Sequence, residues 1–120
     1  MPRRVKVYFD GGCRPATGME TAVVVRGRDH VRRDLGPGTS HDAEWLALIH
    51  AVRLANELGI ADPVFLGDSL AVIGQAGGTA PAHHAEALAA LHVSAGSLRL
   101  RHVKRTQNLA GIALARLHER

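Results

Sequence analysis

A single cysteine, Cys13, stands in 120 residues, so an internal disulfide and a cysteine-built zinc site are both excluded. Aromatic residues are nearly as scarce, with two Phe, one Tyr and one Trp, which leaves Ala, Val, Leu and Ile to build the core. No apolar run approaches the roughly 18 residues of a membrane span. Met1-Pro2-Arg3-Arg4 leads straight into a strand, without the apolar segment of a signal peptide, and a cytoplasmic protein is expected. Lysine is almost missing too: 13 of the 15 basic residues are Arg, in a chain of formal charge +4. Arginine forks in modest excess suit a phosphate-bearing partner. A GC-rich coding bias yields the same composition, so charge alone does not decide. There is no repeat, linker or low-complexity stretch, and the length fits a single domain over residues 1–120.

Hydrophobic periodicity and punctuation give the elements. Residues 4–10 read as a first, central strand, with residues 11–18 as a turn. Residues 21–26 form a second strand and 30–35 an edge strand carrying Arg32 and Arg33 outward. A long helix over 41–58 is stopped by Gly59 at the position after its last turn. Strand 63–67, helices 69–76 and 82–95, strand 98–103 and helix 108–118 follow. The order β-β-β-α-β-α-α-β-α predicts an α/β fold, a mixed five-stranded sheet with helices on its faces.

Three acids sit where packing gives no reason for a carboxylate. Asp10 ends Val5-Lys6-Val7-Tyr8-Phe9-Asp10 before Gly11-Gly12. Asp68 ends Val64-Phe65-Leu66-Gly67-Asp68 before Ser69. Glu44 lies in the first turn of the nearly all-apolar long helix. Two strand ends and a helix start can bring all three into one cleft. Clustered carboxylates repel unless a cation sits among them, and all-oxygen donors suit Mg²⁺ or Mn²⁺. Each acid also has a plain structural reading: Asp10 as a turn residue, Glu44 as an acid favoured by the helix dipole, Asp68 as a helix cap. These readings weaken jointly, because all three acids fall at a known family's spacing.

That family is ribonuclease H of type 1, including its short reverse-transcriptase-like members. The chain resembles it through Phe9-Asp10-Gly11-Gly12-Cys13-Arg14-Pro15 with Gly18, Thr39 to Glu44, Gly67-Asp68-Ser69, and His102-Val103-Lys104-Arg105 leading to Asn108-Leu109-Ala110. The order holds over about residues 5–115. The resemblance implies the ribonuclease H fold and cleavage of the RNA strand of RNA–DNA hybrids with Mg²⁺ or Mn²⁺ at a two-metal site. Water attacks phosphorus in line, leaving 5′-phosphate and 3′-hydroxyl ends. Asp10, Glu44 and Asp68 correspond to catalytic metal ligands. Gly11, Gly12, Cys13, Arg14, Ser40, His41 and Ser69 correspond to substrate-binding positions. The expected partner is the hybrid itself, with no membrane and no obligate protein partner.

One departure is large. The family's last helix carries a fourth carboxylate in Asn-x-x-Ala-Asp, and here Ile112 takes that place. Glu119 lies about 10 Å further along the helix, too far to substitute, and Glu86 belongs to another helix. Asn108, one turn before Ile112, is the remaining candidate catalytic and metal ligand through its amide oxygen. In milder departures, Ala16-Thr17-Gly18 replaces Asn-Pro-Gly, Ser40-His41 replaces paired Asn, and there is no room for the basic handle of longer members. The loop His before Asn108 gives way to Arg105-Thr106-Gln107.

Of the eight histidines, His83 and His84 are adjacent and should diverge on a helix. His30, His50, His92 and His118 share no ligand spacing and read as mostly surface, while His41 lies at the cleft mouth. Trp45 reads as core, and Arg99 with Arg101 either tracks a phosphate backbone or is merely solvated. The alternative function is a hybrid- or duplex-binding module of the same fold, catalytically weakened at Ile112. An aspartyl-phosphate phosphatase using Asp10 would carry a second Asp two residues on, where this chain has Gly12.

Overall fold

The computed structural model describes residues 4–78 and 80–118; Met1 to Arg3, Thr79, Glu119 and Arg120 lie outside the described residues. Five strands form one sheet in the order β3-β2-β1-β4-β5. They are β1 (Val5–Arg14), β2 (Gly18–Val25), β3 (Arg28–Arg32), β4 (Pro63–Gly67) and β5 (Leu100–His102). β1 is central, antiparallel to β2 and parallel to β4. β2 pairs antiparallel with β3, and β4 parallel with β5. The helices are α1 (Ser40–Glu57), α2 (Leu70–Ala76), α3 (Ala82–Ala89) and α4 (Leu109–Leu117), and no described helix is long and apolar enough to cross a membrane.

Period-two alternation divides the sheet's faces. Val7 and Phe9 of β1, with Val23 and Val25 of β2, pack with Trp45, Leu48 and Val52 of α1 in the larger core. Their neighbours Ala22 and Val24 turn to the opposite face and meet Ala110, Ala113 and Leu114 of α4, with Tyr8 alongside. Small residues in α4 let that helix lie close to the sheet.

Several boundaries differ from the sequence expectation. β1 does not end at Asp10 but runs on to Arg14, paired with β2 back to Gly18, so the turn shrinks to Pro15-Ala16-Thr17. Two successive glycines suggest chain reversal, yet Gly11 is required by packing instead. A Cβ there would collide with the peptide group joining Ala43 to Glu44. α3 stops at Ala89 rather than near residue 95, and His92 follows with a positive φ of 61°. Gly59, with φ 66°, follows α1 as expected.

Two histidines are buried, His50 against the expectation of a surface position and His84 in α3. His50 lies on the inner side of α1 with Nδ1 2.9 Å from the Thr21 hydroxyl, and burial pushes its pKa down to about 4. His84 packs its ring on Trp45, centroids 5.4 Å apart and nearly parallel. Arg99 is engaged by Asp62 rather than free.

Candidate active site

Sheet register assembles the acids. Tyr8 of β1 sits beside Leu66 of β4 in a parallel pair, so two residues on, Asp10 within β1 and Asp68 just past the end of β4 arrive at the same level. Glu44 comes from the second turn of α1, held against β1 at Gly11. One carboxylate oxygen from each of Asp10, Glu44 and Asp68 lies within 4.8 Å of the others. Ser69, not Asp68, caps α2, its hydroxyl accepting from Val72 N–H at 3.3 Å, so the capping role leaves Asp68 free for the cluster.

The cluster is electrostatically costly without a cation. Asp10 is buried and Glu44 partly so, and Asp10 Oδ1 and Glu44 Oε2 are buried without a hydrogen-bond partner among the described residues. Burial first, then the charge of Asp68, pushes Asp10 up to about 6. Burial, followed by the charges of Asp10 and Asp68, pushes Glu44 up to about 8. Partnerless oxygens and disfavoured negative charge in an all-carboxylate set fit a hard divalent cation.

Asn108 occupies the N-cap of α4, fully buried. Its Oδ1 accepts from Ala110 N–H at 3.1 Å, while Nδ2 donates to Phe9 O and to Asp68 Oδ2, both at 3.1 Å. Exchanging the amide's oxygen and nitrogen would set donor against donor at Ala110 and acceptor against acceptor at Phe9, so the orientation is determined. The side chain therefore shows the cluster a donor rather than the lone pair a metal ligand needs. It fixes Asp68 and ties α4 to β1.

On the α4 side of Asp10 opens a cleft of about 310 Å³, lined by Gly12, Arg14, Glu20, Arg105, Gly111 and Ile112 among others. Gly12 has nothing near its absent Cβ, so its backbone is open to approach. Cys13 donates its thiol to Gly38 O at 3.1 Å. Ser40 is exposed at the first residue of α1, and His41 Nε2 lies 2.8 Å from Gln75 Oε1, which also accepts from Trp45 Nε1–H.

Two contributors escape a reading of the sequence. Arg105 lowers the pKa of both Asp10 and Glu44 by its charge, the cation that the loop before Asn108 brings to the acids. Glu20 is buried on β2 opposite Gly12, with His118 Nε2 at 2.7 Å and the Arg14 and Arg33 guanidinium Nε at 3.7 and 3.8 Å. Placing the start of β2 at residue 21, three residues too late, hides it. Pairing Glu20 with Gly12 would reveal a buried carboxylate beside the cleft, holding Arg14 there.

The profile of the reverse transcriptase-like family matches residues 9–118. Among solved structures, RNase H1 from the halophilic archaeon Halobacterium salinarum superimposes with a TM-score of 0.70 at 29% identity, over 93% of this chain and 94% of that one. The N-terminal RNase H domain of a Mycobacterium tuberculosis protein gives 0.65 at 25% identity, over 98% and 100%. LC11-RNase H1, in complex with RNA/DNA hybrid, gives 0.69 at 23% identity, over 88% of each chain, a likeness of fold. No curated protein sequence matches significantly.

Proposed function

The chain belongs to the reverse transcriptase-like family, in its ribonuclease H type 1 branch, and from that premise we propose that it hydrolyses the RNA strand of RNA–DNA hybrids, leaving 5′-phosphate and 3′-hydroxyl ends. The observation that carries this reading is the convergence of Asp10, Glu44 and Asp68 with partnerless buried oxygens. These three would hold divalent cations, Mg²⁺ or Mn²⁺, supplying Lewis-acid stabilisation and an activated water to the phosphate.

The other residues bind and position. Asp10 lies inside the most paired strand, which keeps the central ligand still. Asn108 restrains Asp68 through a hydrogen bond and leaves its other oxygen for a cation. Arg105 sets a guanidinium beside the acids, where a phosphate must enter an otherwise anionic site. Glu20 restrains Arg14 for a backbone contact, and Gly12 lets the nucleic acid approach the strand directly. At the start of α1, Ser40 and His41 are placed for contacts on the same strand-end side, with Ser69 near Asp68.

Recognition of a hybrid rests on 2′-hydroxyls on one strand, deoxyribose on the other, and phosphate contacts for affinity. RNA–DNA hybrid should therefore be cut in preference to duplex RNA or duplex DNA. Binding should weaken about a hundredfold between about 50 and about 200 mM salt if about four phosphates are contacted. Equal cleavage of duplex DNA in a parallel gel assay would defeat the assignment.

Ile112 favours the second reading, a hybrid-binding module with weakened chemistry, since it places an alkyl group beside Asp10 in the cleft. Its residue is 37% exposed, so a carboxylate there would remain in contact with water. Ile112→Asp is expected to lower the Mg²⁺ concentration for half-maximal cleavage by about tenfold, with little change in melting temperature. A large fall in melting temperature with no gain in metal affinity would refute the alignment of Ile112 with a fourth ligand.

A further inference from the structure

Outside the carboxylate cluster, a second group of ligating side chains converges where α3 meets the first turn of α1. Asp42 Oδ1 lies 3.4 Å from His84 Nε2 and 3.9 Å from His83 Nε2. One donor atom from each of these three residues lies within 4.8 Å of the others. The two adjacent histidines, expected to diverge, instead bring their ring centroids to 3.8 Å. They sit at the second and third residues of α3, where no preceding turn forces the rings apart.

The Asp42–His84 contact is a hydrogen bond at the long limit and the Asp42–His83 separation lies beyond one, whereas both leave room for a shared ion. N–H···O bonds prefer about 2.7–3.2 Å. Ligand atoms bound tetrahedrally at about 2.0–2.1 Å stand about 3.3–3.4 Å apart. The Asp42–His84 distance of 3.4 Å matches that edge, and the exposed His83, at 3.9 Å, would move in by about 0.5 Å to complete it. The ligands are also oriented from outside. Asp42 Oδ2 accepts from the Thr39 hydroxyl at 3.0 Å, which leaves Oδ1 for the imidazoles. The ring of His84 is fixed by stacking on buried Trp45. His83 is largely exposed, so solvent reaches the fourth position.

We propose that Asp42, His83 and His84 form a second metal site, selective for Zn²⁺ or a similar borderline first-row ion, that clips α3 to the start of α1. Two imidazoles with one carboxylate favour such ions over Mg²⁺, whereas the all-oxygen set at Asp10 does the reverse. The clip would restrain the segment bearing Ser40 and His41 without touching the reacting phosphate.

The test is titration of Zn²⁺, and of Co²⁺ as a spectroscopic probe, into the full chain in excess Mg²⁺. The expected result is one equivalent bound, with the intense visible absorption of four-coordinate Co²⁺ and a rise in melting temperature. Binding should persist in Asp10→Asn and weaken by ~10-fold or more in His83→Ala and in Asp42→Asn. Equal melting of His83→Ala and the unaltered chain in chelator establishes that the fold is intact. Binding retained in both His83→Ala and Asp42→Asn, or lost in Asp10→Asn, would place the ion among the carboxylates and overturn the proposal. Absence of binding would reduce the trio to an ion pair, which overturns it equally.

Discussion

Asp10→Asn is expected to reduce cleavage of an RNA–DNA hybrid by about a thousandfold while the fold survives. Asp10 is the acid at the centre of the cluster, flanked by Asp68 just past the neighbouring strand β4 and by Glu44 from α1. An amide keeps the shape and gives up the charge on which divalent affinity depends. In metal-free buffer near pH 8 the variant should melt at a higher temperature than the unaltered chain, because a buried, partnerless carboxylate oxygen and its repulsion are both removed. Hybrid cleavage assays with paired melting curves give both numbers. Retention of about a tenth of the activity would sink the assignment of Asp10 to the metal.

The second large effect is a reversal of the usual acid sensitivity. Asp10 moves from 3.8 to about 6 and Glu44 from 4.5 to about 8, so the folded chain holds protons that the unfolded chain has lost. Stability from these groups is fully present below about pH 4 and disappears as pH rises through about 6 and then about 8. Each tenfold gain in proton affinity on folding corresponds to about 1.4 kcal/mol, so the metal-free protein should lose on the order of a few kcal/mol across that window. Divalent cations compete with those protons. Added Mg²⁺ should therefore raise the melting temperature strongly at pH 8 and hardly at all at pH 5. Calorimetry with chelator and with Mg²⁺ at both pH values tests this. A Mg²⁺ effect equal at the two would mean that the acids do not bind the ion.

Much of the site is legible in the sequence because carboxylates at strand ends carry no packing rationale. Asp10, Glu44 and Asp68 declare themselves by type and spacing, and sheet register together with the seating of α1 on Gly11 does bring them together. What stays hidden depends on pairing between distant segments. That β1 continues through Gly11-Gly12 follows from eight partners on β2, none of which is visible in β1's own sequence. Glu20 escapes notice for the same reason. Asn108 invites assignment as a lone pair facing a cation, but which end of the amide faces inward depends on its own cap bond to Ala110 together with Phe9 across the fold. The fold class is easier, since alternation and glycine punctuation act locally while the five-strand order follows from them with few choices.

The peptide between Ala43 and Glu44 rests on the bare Cα of Gly11. Helix beginnings ordinarily fray, opening and closing at little free-energy cost. Here the beginning of α1 lies flat on the central strand, so its local opening must break contact with the most protected part of the molecule. The amide of Glu44 is then expected to belong to the same cooperative unit as that of Asp10, so that the two exchange their hydrogens with solvent at similar rates. Fluctuations that loosen α3 or the β1–β2 turn should then leave the distance between those two carboxylates largely unchanged.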